Sequence, residues 1–106
     1  MTRLPSTIDI TTFMALADII AVESVRQNLT ITKLLKESRA RKVLRDQEAL
    51  YRYVAYGQAQ CLIRIVRVAD PRPFGEAKYY YLTAAGDRLL QVWQERKKEE
   101  KEKNGN

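Results

Sequence analysis

Apolar residues recur every three to four positions near the start of the chain, in its middle and near its end, and the last two of these stretches are separated by two short runs rich in β-branched and aromatic residues. The first stretch carries Phe13, Leu16, Ala17, Ile20 and Ser24 on one face. This spacing predicts a helix, capped by Asp9 or Thr11 and ending near Asn28. LTIT (29–32) has β-branched character and ends in a possible cap, Thr32. It reads as a very short first strand leading into a second helix from about Lys33.

Residues 33–60 admit two readings. Ala40, Val43, Leu44, Gln47, Leu50, Val54, Gly57 and Cys61 can all lie on one face of a single long helix. The alternative, preferred here, is a break near Leu44–Asp46, with Asp46 capping a separate helix that runs to about Gln60. No Gly or Pro marks the turn.

Cys61–Ala69, rich in Ile and Val, predicts a strand, with Cys61 a small buried hydrophobe at the helix–strand junction. DPRPFG (70–75) interrupts it, because two prolines remove ladder donors and Gly75 favours a turn. Glu76–Leu82 returns as the second strand of a hairpin, with Tyr80 and Leu82 turned to the core and Tyr79 and Tyr81 to the other face. Thr83 then caps a last helix whose apolar face is Leu82, Leu89, Leu90 and Trp93, with Gly86 near its start. Beyond Gln94 the sequence ERKKEEKEKNGN is almost wholly charged or polar. The division expected is therefore a domain over 1–94 and a charged helical extension over 95–106.

The order helix, strand, turn, strand, helix is the back half of a winged helix. The fold class expected is α+β, mostly helical: a winged helix-turn-helix with a β-hairpin wing and a long C-terminal helix. At 106 residues the chain is one domain with one modest core.

Charge turns this fold toward a polyanion. The net charge is +6 and the pI about 9.6. Its distribution says more than its total. Between Lys33 and Arg52 stand seven basic residues (Lys33, Lys36, Arg39, Arg41, Lys42, Arg45, Arg52) against three acidic ones, a local +4. The hairpin adds Arg64, Arg67, Arg72 and Lys78 against Asp70 and Glu76, a further +2, whereas residues 1–32 sum to −1. The excess sits on the two elements a winged helix presents to a duplex.

With Leu50, Val54, Gly57 and Cys61 turned inward, Arg45, Glu48, Arg52, Ala55 and Tyr56 fall on the outer face of the helix that opens at Asp46. Arg52 is suited to a bidentate pair with guanine, Glu48 to accepting from cytosine, and Tyr56 to sugar or phosphate. Lys42 and Gln47 stand at the entrance to this helix, and Arg72 and Lys78 in the wing suit phosphate contacts. The same arginines also fit an ordinary solvated helix face. The run Tyr79, Tyr80 and Tyr81 invites stacking on single-stranded nucleic acid, but strand alternation favours packing.

Other chemistry has little support. With no His and one Cys, the chain offers neither a zinc site of usual spacing nor a disulfide, and no metal or other cofactor is expected. Serines without a nearby base, and the absence of a Gly-rich phosphate loop, argue against an enzyme. FMALADIIAV (13–22) is interrupted by Asp18 and is too short to cross a bilayer. With no secretory pattern at the N-terminus, the expectation is a cytoplasmic, nucleoid-associated protein without a membrane partner.

Two segments carry a resemblance to a known family. ALYRYVAYGQAQCLI (49–63) resembles the recognition-helix pattern of PadR-type winged-helix regulators, and KYYYLTAAGDRLL (78–90) resembles their second signature, through Tyr79, Tyr80, Leu82, Thr83 and Gly86. Small archaeal, viral and plasmid winged-helix proteins are similar. Three positions depart from the pattern: Ala49 stands for Thr, Gly57 for a core Leu, and Cys61 for Gly. The resemblance implies a homodimer paired through the C-terminal helix and often the first helix, with Phe13, Leu89, Leu90 and Trp93 as interface candidates. It further implies a sequence-specific double-stranded DNA-binding transcriptional regulator. The alternatives are a partition or architectural protein that spreads from a centromere-like site, and an interaction module that does not read DNA.

Overall fold

Helix α1 (Ile10–Arg26) begins where Asp9 can act as its cap. The Asp9 carboxylate accepts from the backbone N–H of Thr12 at 2.9 Å and from its hydroxyl at 2.7 Å. These bonds satisfy an orphan amide of the first turn and hold the Asp9 carboxyl below its ordinary value. The structure, a computed structural model, describes residues 8–69 and 75–104. Arg72 and the prolines of the wing tip lie outside the described residues.

The inward stripe of α1 is Phe13, Met14, Leu16, Ala17, Ile19, Ile20 and Glu23. Glu23 takes an interior position, and Ser24 is half-buried beside it. A buried carboxylate needs partners. Glu23 has Arg26 and Arg41, each at 3.6 Å, and the side-chain amide of Gln27 at 3.0 Å.

The expected first strand is not formed. Thr30, two residues earlier than the sequence suggests, caps α2 (Ile31–Ala40), and its hydroxyl accepts from Lys33 N–H at 3.3 Å. With the helix starting at Ile31, the extended segment keeps a single ladder-like bond, from the Tyr80 N–H to the Leu29 carbonyl at 2.9 Å. Leu29 itself is fully buried.

The long-helix reading of residues 33–60 is excluded: α2 stops at Ala40 and α3 (Gln47–Ala59) starts after Asp46. The turn is made by residues that do not announce one. Lys42 adopts the left-handed region at φ 60°. The hydroxyl of Ser38, fully buried, accepts from Leu44 N–H at 2.9 Å and donates to Leu44 C=O at 3.0 Å. Val43 N–H reaches the Ser38 carbonyl, and Arg39 Nε donates to the Arg45 carbonyl at 2.8 Å. Ser38→Ala is expected to orphan both backbone groups of Leu44 and to destabilise the fold by roughly 2–3 kcal/mol. Urea denaturation of the two proteins measures the difference, and an effect under about 0.5 kcal/mol would remove Ser38 from this role.

Strands β1 (Ile63–Ala69) and β2 (Glu76–Leu82) pair antiparallel, with Ile63 opposite Leu82, Ile65 opposite Tyr80 and Arg67 opposite Lys78. Tyr80 is buried and Leu82 half-buried, as alternation requires. Helix α4 (Ala84–Asn104) follows and runs unbroken across position 94. Thr83 is its cap: the hydroxyl accepts from Gly86 N–H at 3.0 Å and donates to the Cys61 carbonyl at 2.7 Å, while Thr83 N–H reaches the Leu62 carbonyl. The α3–β1 junction and the start of α4 are thereby one hydrogen-bonded corner.

That corner corrects the expectation for Cys61. Its backbone is left-handed at φ 60°, its N–H and C=O are both held, and its thiol is exposed. Leu62 and Ile63 take the inward positions instead. Gly57 is explained by the same packing. A Cβ there would collide with the Ile63 side chain and lie 3.1 Å from the Phe13 ring, so the volume of the expected Leu is supplied by Ile63.

The core is one cluster around α1: Phe13, Leu16, Ile19, Ile20, Leu29, Leu34, Leu50, Ile63, Tyr80 and Leu90 all belong to it. Each such side chain contributes about 1.5–3 kcal/mol of apolar burial. The helix-turn-helix and the wing are therefore both anchored to α1, which fixes α3 and the hairpin relative to each other.

Candidate nucleic-acid interface

Helix α3 buries Leu50, Tyr53, Val54 and Gly57. The opposite side leaves Arg45, Gln47, Glu48, Arg52 and Ala55 exposed. Tyr56 does not join them. Because Tyr53 is buried too, the inward arc of α3 is wider than apolar spacing alone indicates, and Tyr56 lies on its flank. There the Tyr56 ring meets the Phe13 ring edge to face, with centroids 5.3 Å apart and planes at 83°. The exposed flank residue on the other side is Tyr51, which the sequence reading did not single out as a contact.

The basic residues separate into two groups by their partners. Arg41, exposed in sequence terms, is held among three carboxylates: Glu23 at 3.6 Å, and Asp18 and Glu37 at 4.0 Å each. It ties α2 to α1 and is occupied. Arg64 lies 4.9 Å over the Tyr81 ring and is likewise engaged. Among the described residues, no ion pair involves Lys36, Arg39, Lys42, Arg45, Arg52, Arg67 or Lys78. All seven are exposed.

In the wing, Arg67 and Lys78 stand directly opposite each other across the ladder. Like charges in that position repel, at a cost of a few tenths to about 1 kcal/mol. An anion between them would relieve the repulsion. Among the described residues these cations are not taken up by internal ion pairs.

The apolar interface candidates on α1 and α4 also divide. Phe13 is 1% exposed and Leu90 5%, both within the subunit's own core, so neither side chain is available to a partner. Leu89 is 39% exposed, and Trp93 is half-buried with Lys97 Nζ 5.7 Å over its ring. Val92, 45% exposed, extends this apolar strip. Its spacing of three from Leu89 was the available sequence signal. Beside it, Met14, Ala15 and Asp18 of α1 and Trp93, Gln94 and Lys97 of α4 line a groove of about 310 Å³, closed at one point by a bond from the Gln94 amide to Asp18 at 3.1 Å.

Among the described residues, no cluster of His, Cys, Asp and Glu is suited to a metal ion, and no helix is long and apolar enough to cross a membrane.

No protein-family model matches the chain, and no curated protein matches it significantly. Solved structures do. A PadR family transcription regulator from hypervirulent Clostridium difficile superposes with a TM-score of 0.70 at 18% identity, covering 86% of this chain and 91% of that one. A PadR-like transcription factor from Bacteroides fragilis gives 0.69 at 15% identity, with 89% and 85% covered. A PadR-like transcriptional regulator from Bacillus cereus gives 0.61 at 19%, with 79% and 78% covered. Four helices and a two-stranded antiparallel wing, in this order and over most of the chain, are the winged-helix fold of PadR-type proteins.

Proposed function

We propose that the chain is a double-stranded DNA-binding transcriptional regulator that acts as a homodimer inside the cell, on the nucleoid, and has no enzymatic activity. The observation that carries this reading is the exposed and unpaired state of the cations on α2, in the α2–α3 turn, at Arg52 of α3 and on the wing, beside an Arg41 that three carboxylates engage. The likeness to solved PadR-type regulators supports it.

In this reading α3 enters the major groove. Arg52 pairs with a guanine edge, Glu48 accepts from cytosine, and Arg45, Gln47 and Lys42 set the helix against the strand. Lys78 and Arg72 bring the wing onto the backbone or into the minor groove. Leu89, Val92 and Trp93 of α4 meet their copies in the partner, which places two α3 helices ~34 Å apart on a pseudo-palindrome.

Three measurements test it. Duplex affinity should fall steeply between about 50 and 200 mM salt, and an absence of binding at low salt would end the reading. A random-library selection should return a single bounded site with two half-sites. Spreading from a nucleation site would instead favour a partition or architectural role. For the dimer, Val92→Asp should turn a dimer into a monomer by sedimentation, because a buried unpaired charge costs several kcal/mol. An unchanged sedimentation coefficient would move the interface elsewhere.

A further inference from the structure

Between the start of α2, the side of α3 and the β2 strand of the wing lies a cleft of about 310 Å³ lined by Thr30, Ile31, Tyr51, Glu76, Lys78 and Tyr80. Tyr80 is 5% exposed, and its hydroxyl has no hydrogen-bond partner among the described residues. The ring is packed in the core while the residue lines the cleft, so the hydroxyl is a donor that a ligand there can use. Burial and the neighbouring Tyr51 phenol both push the Tyr80 hydroxyl above its ordinary value, so it remains a protonated donor.

Other donors converge on the same space. Thr30 caps α2 by taking Lys33 N–H, which leaves the amide of Ile31, a lining residue, without an acceptor among the described residues, at the positive end of a ten-residue helix. Tyr51 is 46% exposed on the flank of α3, one residue before Arg52, and Lys78 is exposed on β2. Glu76 is the one carboxylate on the lining and opposes an anion there.

We infer that this cleft seats one phosphate of the duplex backbone, held by the Tyr51 and Tyr80 hydroxyls, the Lys78 ammonium and the Ile31 amide at the start of α2. The inference rests on the DNA-binding reading. The seat joins all three elements that meet DNA, and so sets the depth at which α3 lies in its groove. A tetrahedral oxyanion carrying one charge matches a donor set of two phenols, one ammonium and the Ile31 amide. Glu76 limits how tightly it is held.

The test uses the full chain and duplexes carrying the selected site, with backbone phosphates replaced singly by neutral methylphosphonates. For the wild type, one phosphate per half-site should cost about 10-fold in affinity when neutralised. In Tyr51→Phe the loss at that position should shrink below about 3-fold, while every other position behaves as in the wild type. Tyr80→Phe should act in the same way, with thermal unfolding checking its fold; Tyr51→Phe, on the surface, keeps the test open if Tyr80→Phe is unstable. Glu76→Gln should tighten binding a few-fold, and the gain should vanish on the duplex neutral at that one phosphate. If the wild type binds with a steep salt dependence but no phosphate position couples to Tyr51, the seat is refuted and the DNA reading stands. If the wild type binds no duplex at low salt, both fall together.

Discussion

Gly86→Ala should lower the stability of the protein by about 3 kcal/mol or more, although alanine is the better helix former by about 1 kcal/mol. The reason is local. A Cβ at position 86 would run into the Leu62 carbonyl oxygen, 3.2 Å from its carbon and 3.4 Å from the Leu82 Cβ. The obstacle is backbone, and that carbonyl already accepts the Thr83 N–H. Relief therefore requires prising α4 away from the α3–β1 corner, which breaks the Thr83 bonds to Cys61 and Leu62 together. Overpacking typically costs 1–3 kcal/mol, and the lost bonds add to it. In a domain of this size about 3 kcal/mol corresponds to a fall in Tm of roughly 12–24 °C. Gly57→Ala is the internal comparison. Its clash is with the far end of the Ile63 side chain, which can change rotamer, so its cost should be about half as large. Thermal unfolding followed by circular dichroism measures both, and a Gly86→Ala protein melting within about 3 °C of the wild type would show that α4 does not pack on Leu62 this closely.

The start of α4 and the strand before it were legible in the sequence because each has a local signature. Thr83 is a cap residue, Gly86 falls three positions later, and the alternation of β2 places Tyr80 and Leu82 inward. The α2–α3 turn was legible only as a break. Its left-handed residue is Lys42 rather than Gly or Asn, and its fastener is Ser38, one buried hydroxyl acting across six residues. Nothing in composition marks either. Cys61 failed for the same reason: a left-handed junction residue gives up its inward position, and only backbone geometry reveals it. The placement of Thr30 over Thr32 was decided by a tertiary bond, Tyr80 to Leu29, that local propensity does not contain.

For the candidate site, the limits are different. Periodicity identifies which residues point inward, but not whether inward means the subunit's own core or a partner. Phe13 and Leu90 were apolar at the right spacing for an interface and belong to the core. Tyr56 was polar enough for the outer face and packs on Phe13 instead. Charge counts had the same weakness. Arg41 and Arg52 are equivalent in a tally, yet one is surrounded by three carboxylates and the other faces solvent without an ion pair among the described residues. Only the arrangement of acids on α1 and α2 distinguishes a structural cation from a free one.

That distinction makes Arg52→Ala the sharper of the functional tests. Arg52 sits on the exposed arc of α3 with Glu48 one turn before it, so removing its guanidinium should leave the fold intact. On a selected site carrying the preferred guanine, affinity should fall by about 1–3 kcal/mol, or roughly 5- to 150-fold, while affinity for random duplex changes far less. The ratio of the two affinities is the diagnostic quantity, measured at one fixed salt concentration. Arg41→Ala is the matching control. Its guanidinium is occupied by Asp18, Glu23 and Glu37, so its loss should cost stability by leaving the buried Glu23 with only Arg26 and the Gln27 amide, yet leave the base preference of the remaining folded protein unchanged. If Arg52→Ala instead weakens all duplexes equally and reduces the salt slope by about one, Arg52 contacts phosphate. Base reading then passes to Arg45, Gln47 and Glu48 at the start of α3, where a helix entering the groove by its N-terminal end brings its side chains nearest the base edges.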